Sequence, residues 1–161
     1  MKRQGGFTLI ELVVVIVILG ILTVTAAPRF LNIQDDAKDA TLQGLTGAIQ
    51  GASSIVYGKS AIEGKEALSG QSVDVGTDTF ILTEYGYPKA NGDNIAKIVQ
   101  GIGAGDSFEM INTVLSNATT PAVVIFGIKN YTNKCVKYTE ATSSAEYSVG
   151  VVDTGSDNIC G

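Results

Sequence analysis

The chain has no histidine, no tryptophan and only two cysteines in 161 residues. Lacking histidine, it cannot use imidazole for acid–base catalysis, and most zinc sites are excluded with it. Positive charge is also scarce: 11 Lys and Arg stand against 16 Asp and Glu, a formal −5. That balance argues against nucleic acid as a partner, since tracking phosphates takes a concentration of basic residues. No nucleophile–base pair, phosphate-binding glycine loop or metal-ligand cluster is found, so no catalytic residue, cofactor or metal ion is expected. Asp74, Asp78, Asp93, Asp106, Asp153 and Asp157 fit no EF-hand spacing and read as solvated loop and cap residues.

What is present is concentrated at the N-terminus. Met-Lys-Arg-Gln-Gly-Gly is followed at once by Phe7 and a run to Ala27 broken only by Thr8, Glu11, Thr23 and Thr25. These 21 residues would make a helix of roughly 31 Å, enough for a bilayer core of about 30 Å. An ordinary signal peptide is cut after its apolar region and loses it. Here the small residues Gly5 and Gly6 stand in front, so cleavage between Gly6 and Phe7 would leave the apolar helix in the mature protein. Lys2 and Arg3 are expected to hold the N-terminus in the cytoplasm. Their removal with the leader takes the net charge from −5 to −5 − 2 = −7.

The helical pattern is predicted to continue to about Tyr57, with a kink or loosening at Gly20 and at Pro28, whose ring crowds the carbonyl of Val24. Beyond a charged stretch (Arg29, Asp35, Asp36, Lys38, Asp39), residues 42–58 carry no charge. Leu42, Leu45, Ile49, Ala52 and Val56 fall on one helix face. Ala37, Ala40, Gly44, Gly47, Ala48 and Gly51 fall on another. Each glycine costs a helix up to about 1 kcal/mol relative to alanine, which suggests close approach of a neighbour: either a sheet of the same domain or the helix of another copy.

The remainder, 58–161, is expected to form a head. Residues 59–78 read as loop with at most one strand, Tyr85-Gly86-Tyr87-Pro88 as a turn, and Asn94–Ile102 as a short helix. Asp106 with Glu109 resembles a capping box opening a further helix through Leu115. Ala122–Ile128, Cys135–Thr139 and Tyr147–Val152 read as an antiparallel sheet. The fold class is therefore α+β. Cys135 and Cys160 most economically form one disulfide in an exported domain, the alternative being two free buried thiols. Closing a loop of about 26 residues would contribute roughly 3–4 kcal/mol in the chain-entropy account.

Gly6-Phe7-Thr8-Leu9-Ile10-Glu11-Leu12, the apolar helix and Pro28 together resemble the class III signal of type IV pilins and the related pseudopilins. Ala27-Pro28-Arg29-Phe30-Leu31-Asn32, Gln34–Ala37 and Gly51–Lys59 are similar to type IVa pilins of the MSHA (mannose-sensitive haemagglutinin) kind. The resemblance implies the type IV pilin fold, a long N-terminal helix packed on the head. It also implies a prepilin peptidase that cuts at Gly6 and methylates the amine of Phe7, so that the chain is a substrate and not an enzyme.

The other partners it implies are copies of the chain itself in a helical filament, the inner-membrane pilus assembly machinery, and a cell-surface glycan or abiotic surface. Location would pass from a single-pass inner-membrane precursor to an extracellular pilus serving adhesion and biofilm formation. Glu11 is costly in a membrane, and its available cation is the new amine of Phe7. The two lie four residues apart and could pair within one helix or between copies; the resemblance favours the second. Residues 1–30 are shared with pseudopilins of type II secretion systems, which stand as the alternative, and a single-pass anchored binding domain as another. A C-terminal disulfide loop suits a pilin better than the usual major pseudopilin.

Overall fold

The computed structural model describes residues 6–76, 78–117, 120–155 and 159–160, with the backbone alone at 27, 28 and 30–32. Lys2, Arg3, Gly5 and Asp157, and the side chains of Ala27, Pro28, Phe30, Leu31 and Asn32, lie outside the described residues. The architecture is α+β: one long helix, α1 (Leu9–Ile62), precedes seven strands and a short helix, α2 (Gly92–Ala96). The chain divides into two units, Met1–Ala37 and Lys38–Gly161.

The helix ends fall at Leu9 and Ile62, against the expected Phe7 and Tyr57. The later stop has a local cause. Gly64 takes φ +67°, its N–H donates to the Ala61 carbonyl, and Lys65 N–H reaches the Ser60 carbonyl at 2.8 Å. That pair of bonds is a Schellman closure, which needs the left-handed residue that glycine supplies. The helix assignment is unbroken through Gly20 and Pro28.

Within the first unit, Leu9–Ala26 is long and apolar enough to cross a membrane, and none of it is buried inside the chain. Thr23 and Thr25 do not break this character, because their hydroxyls donate back to the carbonyls of Leu19 (2.8 Å) and Ile21 (3.2 Å). Such back-bonding removes free donors from an apolar surface.

In the second unit the rest of α1 buries one face against two antiparallel sheets. The smaller holds β1 (Gln71–Asp74), β2 (Phe80–Glu84) and β3 (Tyr87–Pro88), in that order. The larger is a meander of β4 (Glu109–Val114), β5 (Val123–Gly127), β6 (Lys134–Thr139) and β7 (Ser148–Asp153). Side-chain alternation sorts the larger sheet's two faces. Val124 and Phe126 of β5 and Val136 and Tyr138 of β6 form the main core with Leu42, Leu45 and Ile49 of α1 and with Ile95, Val99 and Ile102. Their neighbours Ile125 and Cys135 point to the opposite face, where Cys160 joins them. The Cys135–Cys160 disulfide is formed, with Cα atoms 5.4 Å apart. Val56 packs with Val73 and Ile81 in a satellite cluster under the smaller sheet.

Two expected helices are corrected. Residues 106–115 do not form one: Glu109–Val114 is the edge strand β4, paired antiparallel to β5. Its alternating half-buried and exposed residues follow a period of 2, and pairing with β5 outweighs the capping-box pattern. The helix expected at 94–102 is only α2, although Ile95, Val99 and Ile102 are buried in the core as the pattern required. Asn94, inside α2, ties it to β2: Oδ1 accepts from Leu82 N–H (2.9 Å) and Nδ2 donates to the Leu82 carbonyl (2.8 Å). Strand β2 has no counterpart in the sequence reading, and Tyr85–Pro88 splits into a two-residue turn and β3.

Polar contacts, some buried and some at the surface, fasten these layers. Tyr138 hydroxyl donates to the Pro88 carbonyl at 2.6 Å, linking the two sheets. Glu140 accepts from the N–H groups of Ala90 (3.3 Å) and Ala122 (3.2 Å). On α1, Asp39 accepts from Lys134 at 2.5 Å and from Tyr131 at 2.7 Å. Lys134 first, then the Tyr131 hydroxyl, holds the Asp39 carboxyl below the usual range. A depressed folded-state pKa contributes stability that is present above the unfolded value, near 3.9, and is lost as pH falls through the folded value. Urea unfolding of the chain in micelles should therefore show an acid-side loss of stability that Asp39→Asn makes shallower; equal slopes in the two proteins would remove this clamp from the account.

Candidate functional site: the helix start and the small-residue face

The first described residues build a reciprocal cap. Thr8 precedes the helix and Glu11 is its third residue. Glu11 Oε2 accepts from Thr8 N–H at 2.8 Å and from the Thr8 hydroxyl at 2.7 Å, and Glu11 N–H donates back to Thr8 Oγ1 at 3.3 Å. Thr8-Leu-Ile-Glu11 is thus a capping box, satisfying donors that a helix start leaves open. The sequence offered Glu11 as the partner of the Phe7 amine, and the Thr-x-x-Glu spacing of a capping box was there beside it. Both carboxylate bonds fall on Oε2, so Oε1 remains available to another donor among the described residues. Phe7, Leu9, Ile10 and Leu12 around it are all exposed.

Further along α1, the two faces expected of residues 37–56 separate cleanly. Leu42, Leu45, Ile49 and Val56 are buried and Ala52 half-buried, while Ala37, Ala40, Gly44, Gly47, Ala48 and Gly51 are exposed. A Cβ added at Gly44, Gly47 or Gly51 would meet nothing within 4 Å. The domain's own sheets therefore do not pack on the glycines, and of the two neighbours the sequence allowed, the intradomain one is excluded. Among the described residues no group of three or more His, Cys, Asp and Glu is placed to share a metal ion.

Residues 1–27 match the family model for the prokaryotic N-terminal methylation motif. Over 53 residues, 33% of this chain and 46% of the relative, the sequence is 47% identical to the type IV narrow pilus major component of Thermus thermophilus. Over 51 residues, 32% of this chain and 36% of the relative, it is 45% identical to the type II secretion system core protein G of Pseudomonas aeruginosa. The aligned part thus spans less than half the length of either curated relative. No solved structure is a significant match. The chain accordingly carries a prokaryotic N-terminal methylation motif joined to an α+β head.

The cap makes a local prediction. Thr8→Ala removes both the hydroxyl donor and the acceptor, a loss worth about 1 kcal/mol for a helix N-terminus. Hydrogen exchange in micelles should then rise by roughly fivefold at residues 9–12 and stay unchanged beyond residue 20. Unaltered exchange at the helix start would show that the box does not hold it.

Proposed function

We propose that the chain is a structural subunit of a type IV pilus, assembled as a surface filament for cell adhesion and biofilm formation. The observation that carries this reading is the bare apolar helix Leu9–Ala26 within a methylation motif matched over residues 1–27. On this reading a prepilin peptidase cuts between Gly6 and Phe7 and methylates the new amine. Lys2 and Arg3 keep the precursor's N-terminus in the cytoplasm, with the span in the inner membrane. The assembly machinery then draws the subunit into a filament whose centre is the bundled spans. A bend at Gly20 and Pro28 would help each span seat against its neighbours.

Glu11 and Phe7 are proposed as the register device. With Oε2 held by Thr8, Oε1 would accept the Phe7 amine of an adjacent copy, neutralising two charges that are expensive in a dry bundle. The exposed glycine face of α1 would receive the neighbouring helix at close range. The likeness to MSHA pilins adds a cell-surface glycan or abiotic surface as the target of adhesion.

A second reading, a major pseudopilin of a type II secretion system, is favoured by the match to core protein G. The disulfide tying Cys135 of β6 to the tail after β7 favours the pilus. An anchored binding domain without assembly would leave both the apolar span and the glycine face without a filament role.

Electron microscopy of material sheared from cells should show fibres containing this chain at normal expression. Its confinement to the cell envelope would contradict the pilus and support the secretion-system reading. Gly6→Val should accumulate uncut precursor of full mass in the membrane, whereas normal processing would refute the cleavage site. Glu11→Val should be inserted normally. Leaving the amine unpaired in the bundle costs about 3–5 kcal/mol, so fibre yield should fall by two orders of magnitude or more; wild-type yield would remove the charge pair.

A further inference from the structure

The guanidinium of Arg29 is exposed on α1 and makes no ion pair or hydrogen bond among the described residues. By contrast Lys65, Lys89 and Lys134 each pair with a carboxylate, and Lys38, the next cation along α1, lies over the Tyr131 ring. The isolation of Arg29 has a cause in the sequence. Side chains meet on a helix at spacings of three and four. From Arg29 those positions are Thr25, Ala26, Asn32 and Ile33, and none is acidic.

Its place along the helix is as informative. The apolar span Leu9–Ala26 has 18 residues, which rise roughly 27 Å against a bilayer core of about 30 Å. The edge of the core therefore falls in the turn after Ala26, and that turn contains Arg29. A headgroup layer about 5–7 Å thick lies beyond it. An arginine side chain can lay its stem along apolar surface and put its charged end into that layer. The next carboxylates, Asp35 and Asp36, come roughly 13 Å or more beyond Ala26 and stand clear of the layer. From the membrane outward the order is apolar span, cation, anions. That order complements a lipid surface, which is negatively charged next to its core.

We propose that Arg29 binds the phosphate of a phospholipid headgroup and so sets the depth at which the span rests in the bilayer. The forked guanidinium donors suit a phosphate, which they can hold through two parallel hydrogen bonds. A free phosphate ion offers the same chemistry. It would need a second cation to hold it, and Lys38 is nine positions further along α1. A bilayer instead delivers phosphate at the depth that the span dictates. The proposal rests on the reading of Leu9–Ala26 as a membrane span.

Solid-state NMR of the full chain in bilayers of phosphatidylethanolamine and phosphatidylglycerol tests the contact. Arg3 and Arg29 are the chain's two arginines, so Arg3→Lys with arginine isotope-labelled at the guanidinium carbon reports Arg29 alone. Dipolar coupling should place that carbon within about 5 Å of lipid phosphorus, the spacing a guanidinium–phosphate hydrogen bond imposes. In bilayers of a phosphate-free galactolipid with inorganic phosphate added, the coupling should vanish. Equal coupling there would reassign Arg29 to free phosphate and overturn the proposal. Contacts from Ile16 to the terminal methyl groups of the lipid tails report the span separately. Those contacts without phosphorus coupling would overturn the proposal and keep the span; absence of both would remove the span reading as well.

Arg29→Gln tests the depth. It replaces an exposed, unpaired side chain, so resistance of the head to urea should be unchanged. Without the phosphate contact the span is free to slide, and the lipid-methyl contacts should spread from Ile16 to Val13 and Leu19. Contacts as sharply centred on Ile16 as in the unaltered chain would overturn the depth-setting role.

Discussion

Everything about this chain follows from one helical surface that the chain itself does not cover. Apart from Glu11, Leu9–Ala26 has no charged residue on any side, and it is exposed along its whole length. Burying an aliphatic side chain is worth on the order of 1.5–3 kcal/mol, so such a helix stays in lipid or exchanges lipid for protein. The two covers solve the same problem. A subunit that can use either can be stored in a membrane and then built into something outside it, without refolding its head.

The polar features of α1 make sense under that constraint. Thr23 and Thr25 hide their hydroxyls on the helix's own carbonyls. Glu11 is the exception, yet even its carboxylate is half spent, with one oxygen closing the helix start on Thr8. The cap fixes where the carboxylate sits, and a fixed carboxylate is a better register mark than a mobile one. Further along, the exposed glycines weaken the helix intrinsically without any return inside the domain. A return from outside is the physical account proposed for them.

How much of this was legible in the sequence depends on whether the signal was local. The buried stripe Leu42, Leu45, Ile49 and Val56 could be read from a 3.6-residue period, and β5, β6 and β7 from β-rich runs between polar turns. The disulfide was legible from cysteine count and context. Glu109–Val114 was misread because Asp106 and Glu109 imitate a helix start, whereas its strand character depends on pairing with the next strand, β5. Strand β2 was missed although Ile81 and Thr83 are buried between exposed Phe80 and Leu82, the alternation of a half-buried strand. The tyrosine cluster was invisible, since Tyr57 of α1, Tyr87 of β3, Tyr138 of β6 and Tyr147 meet only in the folded head. The capping box at Thr8 was legible and overlooked.

The central claim is that the apolar span is covered by other copies of this chain once it leaves lipid. A photo-crosslinking residue in place of Ile16 tests it directly. In membranes the adducts should be with lipid, and in sheared extracellular fibres they should join Ile16 to residues 9–26 of another copy. Fibres that contain the chain but yield no chain-to-chain adducts within that segment would contradict the account.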